Sequence, residues 1–196
     1  MTTLLLIRHG PTEWNEQGRI QGRSDPPLSE AGRRLVQGWR LPEAESEAEW
    51  LCSPLKRAQQ TAEILRGRAV AGNQHLIEAD WGAWEGRRLK DLRASGGPAM
   101  AENEARGLDF QPPGGESPRA VQQRLMPLLS ELATRPRPVV AVTHKGVIRA
   151  VYALASGWDM RDKPPVRLNW TCAHRFALAR DGRPALAALN ISLGPV

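Results

Sequence analysis

Leu4-Leu5-Leu6-Ile7-Arg8-His9-Gly10 opens this chain with an apolar run that breaks off into an arginine, a histidine and a glycine. Such a run, from about Thr3 to Arg8, reads as a buried strand, and the change to polar residues marks its carboxyl end. In open α/β sheets ligands bind at that end, so the strand delivers Arg8 and His9 to a binding edge. The pattern returns at Val139-Val140-Ala141-Val142, an unbroken run followed by Thr143 and His144. Two strand ends therefore bring His9 and His144 to one edge of one sheet.

The remaining elements can be read outward from these strands. A polar, glycine-bearing loop spans 10–27, and Ser29 is a good cap for a helix with Leu28, Leu35 and Trp39 on one face, stopped by Pro42. The acidic stretch from Glu43 to Glu49 reads as a solvated connection. Trp50-Leu51-Cys52 is a short buried strand, after which Ser53 caps a helix with Pro54 at its first position. Arg57 falls in the first turn of that helix, and Leu55, Ala58, Ala62 and Leu65 form its apolar stripe. From Ala94 to Pro118 the texture changes: Gly96-Gly97-Pro98, Gly107 and Pro112-Pro113-Gly114-Gly115 break regular structure, leaving room for a short helix near Met100 to Ala105. A stretch of this kind within a compact domain is a functional loop or mobile lid, or else a disordered insertion. Ser117-Pro118 opens a helix to about Ala133. A helix from Val147 to Ala155 closes at Gly157. Ala173–Ala179 and Ala185–Ile191, joined across Asp181-Gly182, read as a hairpin. With no internal repeat and no linker, residues 1–196 are expected to form a single α/β domain with a lid-like segment at about 94–118.

Composition narrows the classes of function. The chain has 196 residues, 41% hydrophobic and 24% charged, ordinary for a soluble globular domain. The opening apolar run is too short for a membrane span or a signal peptide and has no basic segment before it. Two cysteines, Cys52 and Cys172, offer no disulfide framework, and cytoplasmic residence is the default expectation. The net charge of +6 admits an anionic partner. The arginines are dispersed, with no aromatic-interleaved basic run, so neither nucleic acid nor a membrane is expected as that partner. A small anion is.

Arg8, Arg57, His9 and His144 converging with a helix start describe a pocket for a tetrahedral dianion. The planar guanidinium fork pairs two oxygens at once, and a helix N-terminus adds unpaired N–H groups. His9, His75, His144 and His174 are far apart in sequence, and no metal-ligand spacing occurs, so no metal is expected. Catalysis would then rest on a side-chain nucleophile. A neutral histidine is competent near pH 7, and neighbouring arginines help to keep it unprotonated. His75 and His174 lack that context and read as hydrogen-bonded structural side chains.

The motifs now resemble a known family. Arg8-His9-Gly10 with Thr12 and Asn15 comes first. Gln21-Gly22, Asp25 and Pro27-Leu28-Ser29 follow, and then Ser53-Pro54-Leu55-Lys56-Arg57-Ala58-Gln59-Gln60-Thr61-Ala62. After these come Glu78 with Gly82-Ala83-Trp84-Glu85-Gly86, Pro113-Gly114-Gly115-Glu116-Ser117, and Thr143-His144-Lys145-Gly146-Val147-Ile148-Arg149. In this order they are similar to the histidine phosphatase superfamily, in its phosphoglycerate mutase-like branch. The resemblance implies a three-layer α/β/α sandwich around a mostly parallel sheet. It also implies that His9 is the nucleophile, that Arg8, Arg57 and His144 hold the phosphoryl oxygens, and that Glu78 serves as acid and then base. Asn15, Gln21 and Gly22 would line the substrate site.

Glu85 is expected to be structural beside Trp84, and Trp81 and Trp84 to pack against the sheet edge. Lys145 departs from the small residue common after the second histidine. It either faces solvent or leans over the cleft toward a second anionic group. The function implied is a metal-independent, cofactor-free phosphomonoesterase acting on a small phosphorylated metabolite through a phosphohistidine. The alternatives are phosphoglycerate mutase-type transfer, or a non-catalytic binder of phospho-ligands. Oligomeric state is not legible.

Overall fold

The computed structural model describes residues 1–194. Its centre is a five-stranded sheet of order β2-β3-β1-β4-β5. The strands are β1 (Thr2–Arg8), β2 (Glu49–Cys52), β3 (Val139–Thr143), β4 (Cys172–Leu178) and β5 (Pro184–Ser192). Strands β2, β3 and β1 pair in parallel, while β4 runs antiparallel to both β1 and β5. Only β4 therefore opposes the common direction. The antiparallel pair is the hairpin expected from Asp181-Gly182.

Strand alternation builds a core on each face of this sheet. Leu4 and Leu6 of β1, with Val139 and Ala141 of β3, enter one apolar cluster. Leu5 and Ile7, with Val140 and Val142, enter the other. The first cluster is covered by α5 (Pro118–Leu132) and α6 (Lys145–Ser156), through Val121, Leu125, Leu129, Ile148 and Tyr152. The second is covered by α2 (Glu30–Gln37) and α3 (Lys56–Arg66), through Val36, Ala58 and Ala62. The result is the three-layer α/β/α sandwich. A short helix, α1 (Glu13–Glu16), lies in the loop after β1, and α4 (Leu89–Glu104) precedes the 107–117 connection.

Local chemistry sets most boundaries. Ser29 and Ser117 cap α2 and α5 by accepting from Gly32 and Ala120 N–H, and Pro118 is the first residue of α5. Gly157 ends α6 at φ +73°, a conformation glycine adopts without strain.

Four expectations need correction. The stretch from Glu43 to Glu49 is not simply solvated: Glu45 is buried and accepts from Arg175, and Glu49 begins β2. Helix α2 ends at Gln37 rather than at Pro42, and its buried face carries Val36, with Leu28 and Trp39 beside it, whereas Leu35 is exposed. Ser53 does not cap α3; Leu55 precedes that helix, and the Ser53 hydroxyl is engaged elsewhere. The start of the 94–118 segment is helical rather than irregular. Two helical pieces of α4 meet at Gly97 (φ 51°, ψ −146°), and Pro98 begins the second, where its missing N–H costs little.

Candidate active site

The parallel strands end in register, and that register builds the site. Arg8 pairs with Thr143, and the His9 N–H donates to Thr143 O at 2.9 Å. Cys52 pairs with Val142, and the Ser53 N–H donates to Val142 O at 2.9 Å. Ser53, His144 and His9 thus follow three adjacent strands. The His9 and His144 rings lie 5.1 Å apart, tilted by 55°. Both residues are buried.

Each ring has one nitrogen committed. His9 Nδ1 lies 2.6 Å from Gly10 O, an acceptor only, so Nδ1 carries the proton and Nε2 keeps its lone pair. His144 Nε2 lies 2.6 Å from Ser53 Oγ, and its Nδ1 is buried without a protein partner. Burial, followed by the charges of Arg8 and Arg57, holds the His9 pKa well below the usual histidine value. Burial, then Arg57 and His9, does the same for His144.

The two arginines are held differently. Arg57 is fully buried in the first turn of α3. It donates from Nη1 to Ser24 O and from Nη2 to Gly22 O, both at 2.7 Å, leaving Nε buried and unpartnered. Arg8 also has a buried, unpartnered Nε, and its guanidinium carbon lies 5.9 Å from the centroid of the Trp170 ring. Desolvated N–H donors without partners are costly in a protein unless an anion satisfies them. Arg8 Nε, Arg57 Nε and His144 Nδ1 fit a phosphoryl group in this way.

Glu78 is buried, and its carboxylate accepts from Ala79 N–H at 2.8 Å and Gly146 N–H at 3.1 Å, in the first turn of α6. It stands near enough to Arg8 and Arg57 to oppose the loss of their protons, which burial favours. A Cβ at Gly146 would lie 2.4 Å from Glu78 Oε1, so glycine is what lets the carboxylate sit there.

The proposed substrate-lining residues divide. Asn15 is half-buried, and its Oδ1 accepts from Thr12 N–H in a reciprocal cap of α1. Gln21 is buried with its side-chain oxygen 3.0 Å from the Thr12 hydroxyl, and Gly22 holds Arg57 through its carbonyl. Lys145 is the first residue of α6, and its ammonium lies 5.3 Å from the same Trp170 ring that Arg8 faces. Lys145 is exposed as a residue, and partial desolvation, followed by the charges of Arg8 and Arg149, lowers its pKa.

Glu85 is structural, as expected, but its partners lie elsewhere than Trp84. Its carboxylate accepts from Arg23 N–H and Ser24 N–H, each at 2.7 Å, and from the Ser24 hydroxyl at 2.6 Å. Trp81 and Trp84 pack on each other and on Phe110, with ring centroids 5.8–6.4 Å apart, rather than against the sheet edge. Outside the site, His75 Nδ1 bonds Arg124 O, and His174 Nδ1 accepts from Asn190 N–H. Ser53 and Glu85 are the residues whose site-building parts sequence reasoning missed. The strand-end rule that found His9 and His144 also applies to Ser53, directly after β2.

Known proteins share this frame. Residues 4–192 match the histidine phosphatase superfamily (branch 1). Phosphoserine phosphatase 1 of Hydrogenobacter thermophilus is 34% identical over 171 residues, covering 82% of this chain and 79% of that protein. A 2,3-bisphosphoglycerate-dependent phosphoglycerate mutase of Methylorubrum populi is 33% identical over 168 residues, covering 79% of each chain. The solved structure of a mycobacterial glucosyl-3-phosphoglycerate phosphatase with VO3 superposes with a TM-score of 0.79 at 28% identity, covering 98% of this chain and 100% of that one.

Proposed function

This chain belongs to the histidine phosphatase superfamily and is a phosphatase of that family, and from this premise we propose that it hydrolyses a small phosphorylated metabolite through a phosphohistidine on His9. The observation that carries the reading is the His9 Nδ1 to Gly10 O bond of 2.6 Å, which fixes the tautomer and leaves Nε2 as the free nucleophile.

In the first half-reaction, His9 Nε2 attacks phosphorus in line. The Nε2–P bond forms as the bond to the leaving oxygen breaks, and Glu78 gives its proton to that oxygen. Arg8, Arg57 and His144 Nδ1–H donate to the equatorial oxygens, where charge accumulates. In the second half, Glu78 takes a proton from water, the resulting oxygen attacks phosphorus, and the electron pair of the broken N–P bond returns to His9. Since a side chain supplies the nucleophile and a carboxyl moves the proton, no step calls for a metal ion. The low proton affinity of His9 supports this role, because its neutral form persists across the physiological range.

Phosphoserine and glucosyl-3-phosphoglycerate, named for the relatives, are small phosphate monoesters, which supports a substrate of that size. The second reading is transfer to an acceptor, favoured by the relative named as a mutase. Cytoplasmic residence belongs to the same proposal, supported by two free cysteines. No helix among the described residues is long and apolar enough to cross a membrane.

The deciding experiment is transient labelling from a 32P-phosphomonoester, quenched in alkali, with a chelator present throughout. Label on wild-type enzyme that is lost in His9→Ala, accompanied by release of phosphate, is the expected result. Label passed to an acceptor would establish the mutase reading instead. Equal labelling of His9→Ala, or turnover abolished by the chelator, would overturn the proposal.

A further inference from the structure

We infer that Lys145, seated on the Trp170 indole, is a specificity subsite for a second acidic group, a carboxylate, on the leaving portion of the substrate. The inference rests on the phosphatase reading above and narrows its substrate class. Lys145 follows His144 directly and precedes Gly146, whose N–H holds the Glu78 carboxylate. In the proposed reaction Glu78 addresses the leaving oxygen, and the Lys145 ammonium lies near enough to Glu78 and Arg8 to feel both charges, which puts it on the leaving-group side.

The indole makes this placement specific. Trp170 packs against the apolar cluster under α5 and α6 and presents one ring to two cations. The Arg8 guanidinium carbon lies 5.9 Å, and the Lys145 ammonium 5.3 Å, from its centroid. A cation over an aromatic face is attracted to it, and the rigid ring limits the rotamers of a long, flexible side chain. Arg149, the other cation of this helix face, is drawn away to Trp158 at 4.8 Å. Among the described residues, no carboxylate forms an ion pair with Lys145.

Local charge favours an anionic ligand group. Glu78 opposes Arg8, Arg57 and Lys145, and Asp25 and Glu85 further oppose Arg57, whereas Lys145 has Glu78 alone. When Glu78 is protonated to act as acid, the ammonium of Lys145 loses that opposing charge and can meet an anionic group of the substrate. Gathering a cation beside two arginines costs folding energy unless an anion compensates it. The lowered proton affinity of this exposed lysine, caused by partial desolvation and then by Arg8 and Arg149, points the same way.

The test is a ratio, so the absolute rate of any variant does not enter. kcat/KM is measured for two matched pairs, phosphoserine against phosphoethanolamine and 3-phosphoglycerate against glycerol phosphate. Wild-type enzyme is expected to favour the carboxylate member of each pair by about tenfold or more, the scale of one charge-assisted hydrogen bond. Lys145→Met, which keeps an apolar stem on the indole, should bring both ratios close to one, and Lys145→Arg should preserve them. The inference is overturned if wild type shows no preference or if Lys145→Met retains it. Phosphoenzyme formation and hydrolysis of p-nitrophenyl phosphate are followed in parallel. Their loss in wild type would sink the phosphatase reading itself, whereas their presence without a carboxylate preference sinks this inference alone.

Discussion

Ser53 Oγ stands 2.6 Å from His144 Nε2, although the two residues are 91 positions apart in the chain. The hydroxyl also accepts from Leu55 N–H at 3.3 Å, which leaves its own proton for the imidazole. That arrangement puts the ring proton of neutral His144 on Nδ1, the nitrogen that is buried without a protein partner. In the proposed mechanism Ser53 is therefore a positioning residue, choosing the tautomer that could donate to a phosphoryl oxygen. Ser53→Ala should lower kcat/KM by about tenfold through mispopulation of the tautomer, equivalent to roughly 1.4 kcal/mol. NMR of the His144 ring nitrogens separates this from a packing effect. An unchanged Nδ1–H tautomer in the variant would refute it.

Glu85 and Arg57 grip the same short segment, residues 22–24, and both bond Ser24. Arg57 binds the carbonyls of Gly22 and Ser24, and Glu85 binds the N–H groups of Arg23 and Ser24. Gly22 permits the grip, since at φ +53° a Cβ there would lie 1.9 Å from Glu85 Oε1. Loosening one side should release the other. Glu85→Gln retains an acceptor but loses the charge, and is expected to raise KM several-fold with little change in stability. Gly22→Ala should be worse on both counts, costing about 2 kcal/mol or more through strain and displacement of Glu85. Steady-state kinetics paired with chemical denaturation would expose an error here if Gly22→Ala behaved as wild type.

The strands that deliver Arg8, His9 and His144 were legible because sheet burial is written locally. Leu4–Ile7 and Val139–Val142 lie under helices on both faces, so every position is apolar, and the polar change marks the strand end. The Glu85–Arg57 grip was not legible, since it joins residues 28 positions apart through backbone groups whose direction no side-chain pattern records. Ser53-Pro54 imitates a helix start, and its hydroxyl is drawn instead to His144, directly after the neighbouring strand. In α4 the Gly-Gly-Pro triplet reads as a break, and it is one, but only between two helical pieces. Resemblance to a family supplied Glu78, which no local feature separates from Asp80 or Glu85.

Acid should destabilise this protein for a definable reason. His9, His144 and His174 all have folded pKa values below that of an unfolded histidine, His174 at about 4, chiefly because burial disfavours the cation. As pH falls below about 6.5, the unfolded chain takes up protons that the folded state refuses, and stability declines. It is fully present above that pH and continues to fall until each folded pKa is reached. For His174 alone the loss by pH 4 amounts to about 3 kcal/mol. Urea denaturation between pH 8 and pH 4 should show this decline, with a shallower slope in His174→Gln. A stability that rose on acidification would have the wrong sign.

Glu78 offers the sharpest test of chemistry, because the two proton transfers proposed for it would respond differently to the leaving group. An aryl phosphate whose phenol has a low pKa departs without protonation, whereas an alkyl phosphate needs a proton at its oxygen. Glu78→Gln should therefore slow alkyl esters by about a hundredfold or more, and phosphoenzyme formation from an activated aryl ester far less. Gly146→Ala should reproduce the pattern in milder form without removing the carboxyl, since its Cβ would stand 2.4 Å from Glu78 Oε1. That second variant matters because it displaces the acid instead of deleting it. If both variants slowed phosphorylation by activated and unactivated esters to the same extent, Glu78 would be holding charge near Arg8 and Arg57 rather than moving a proton.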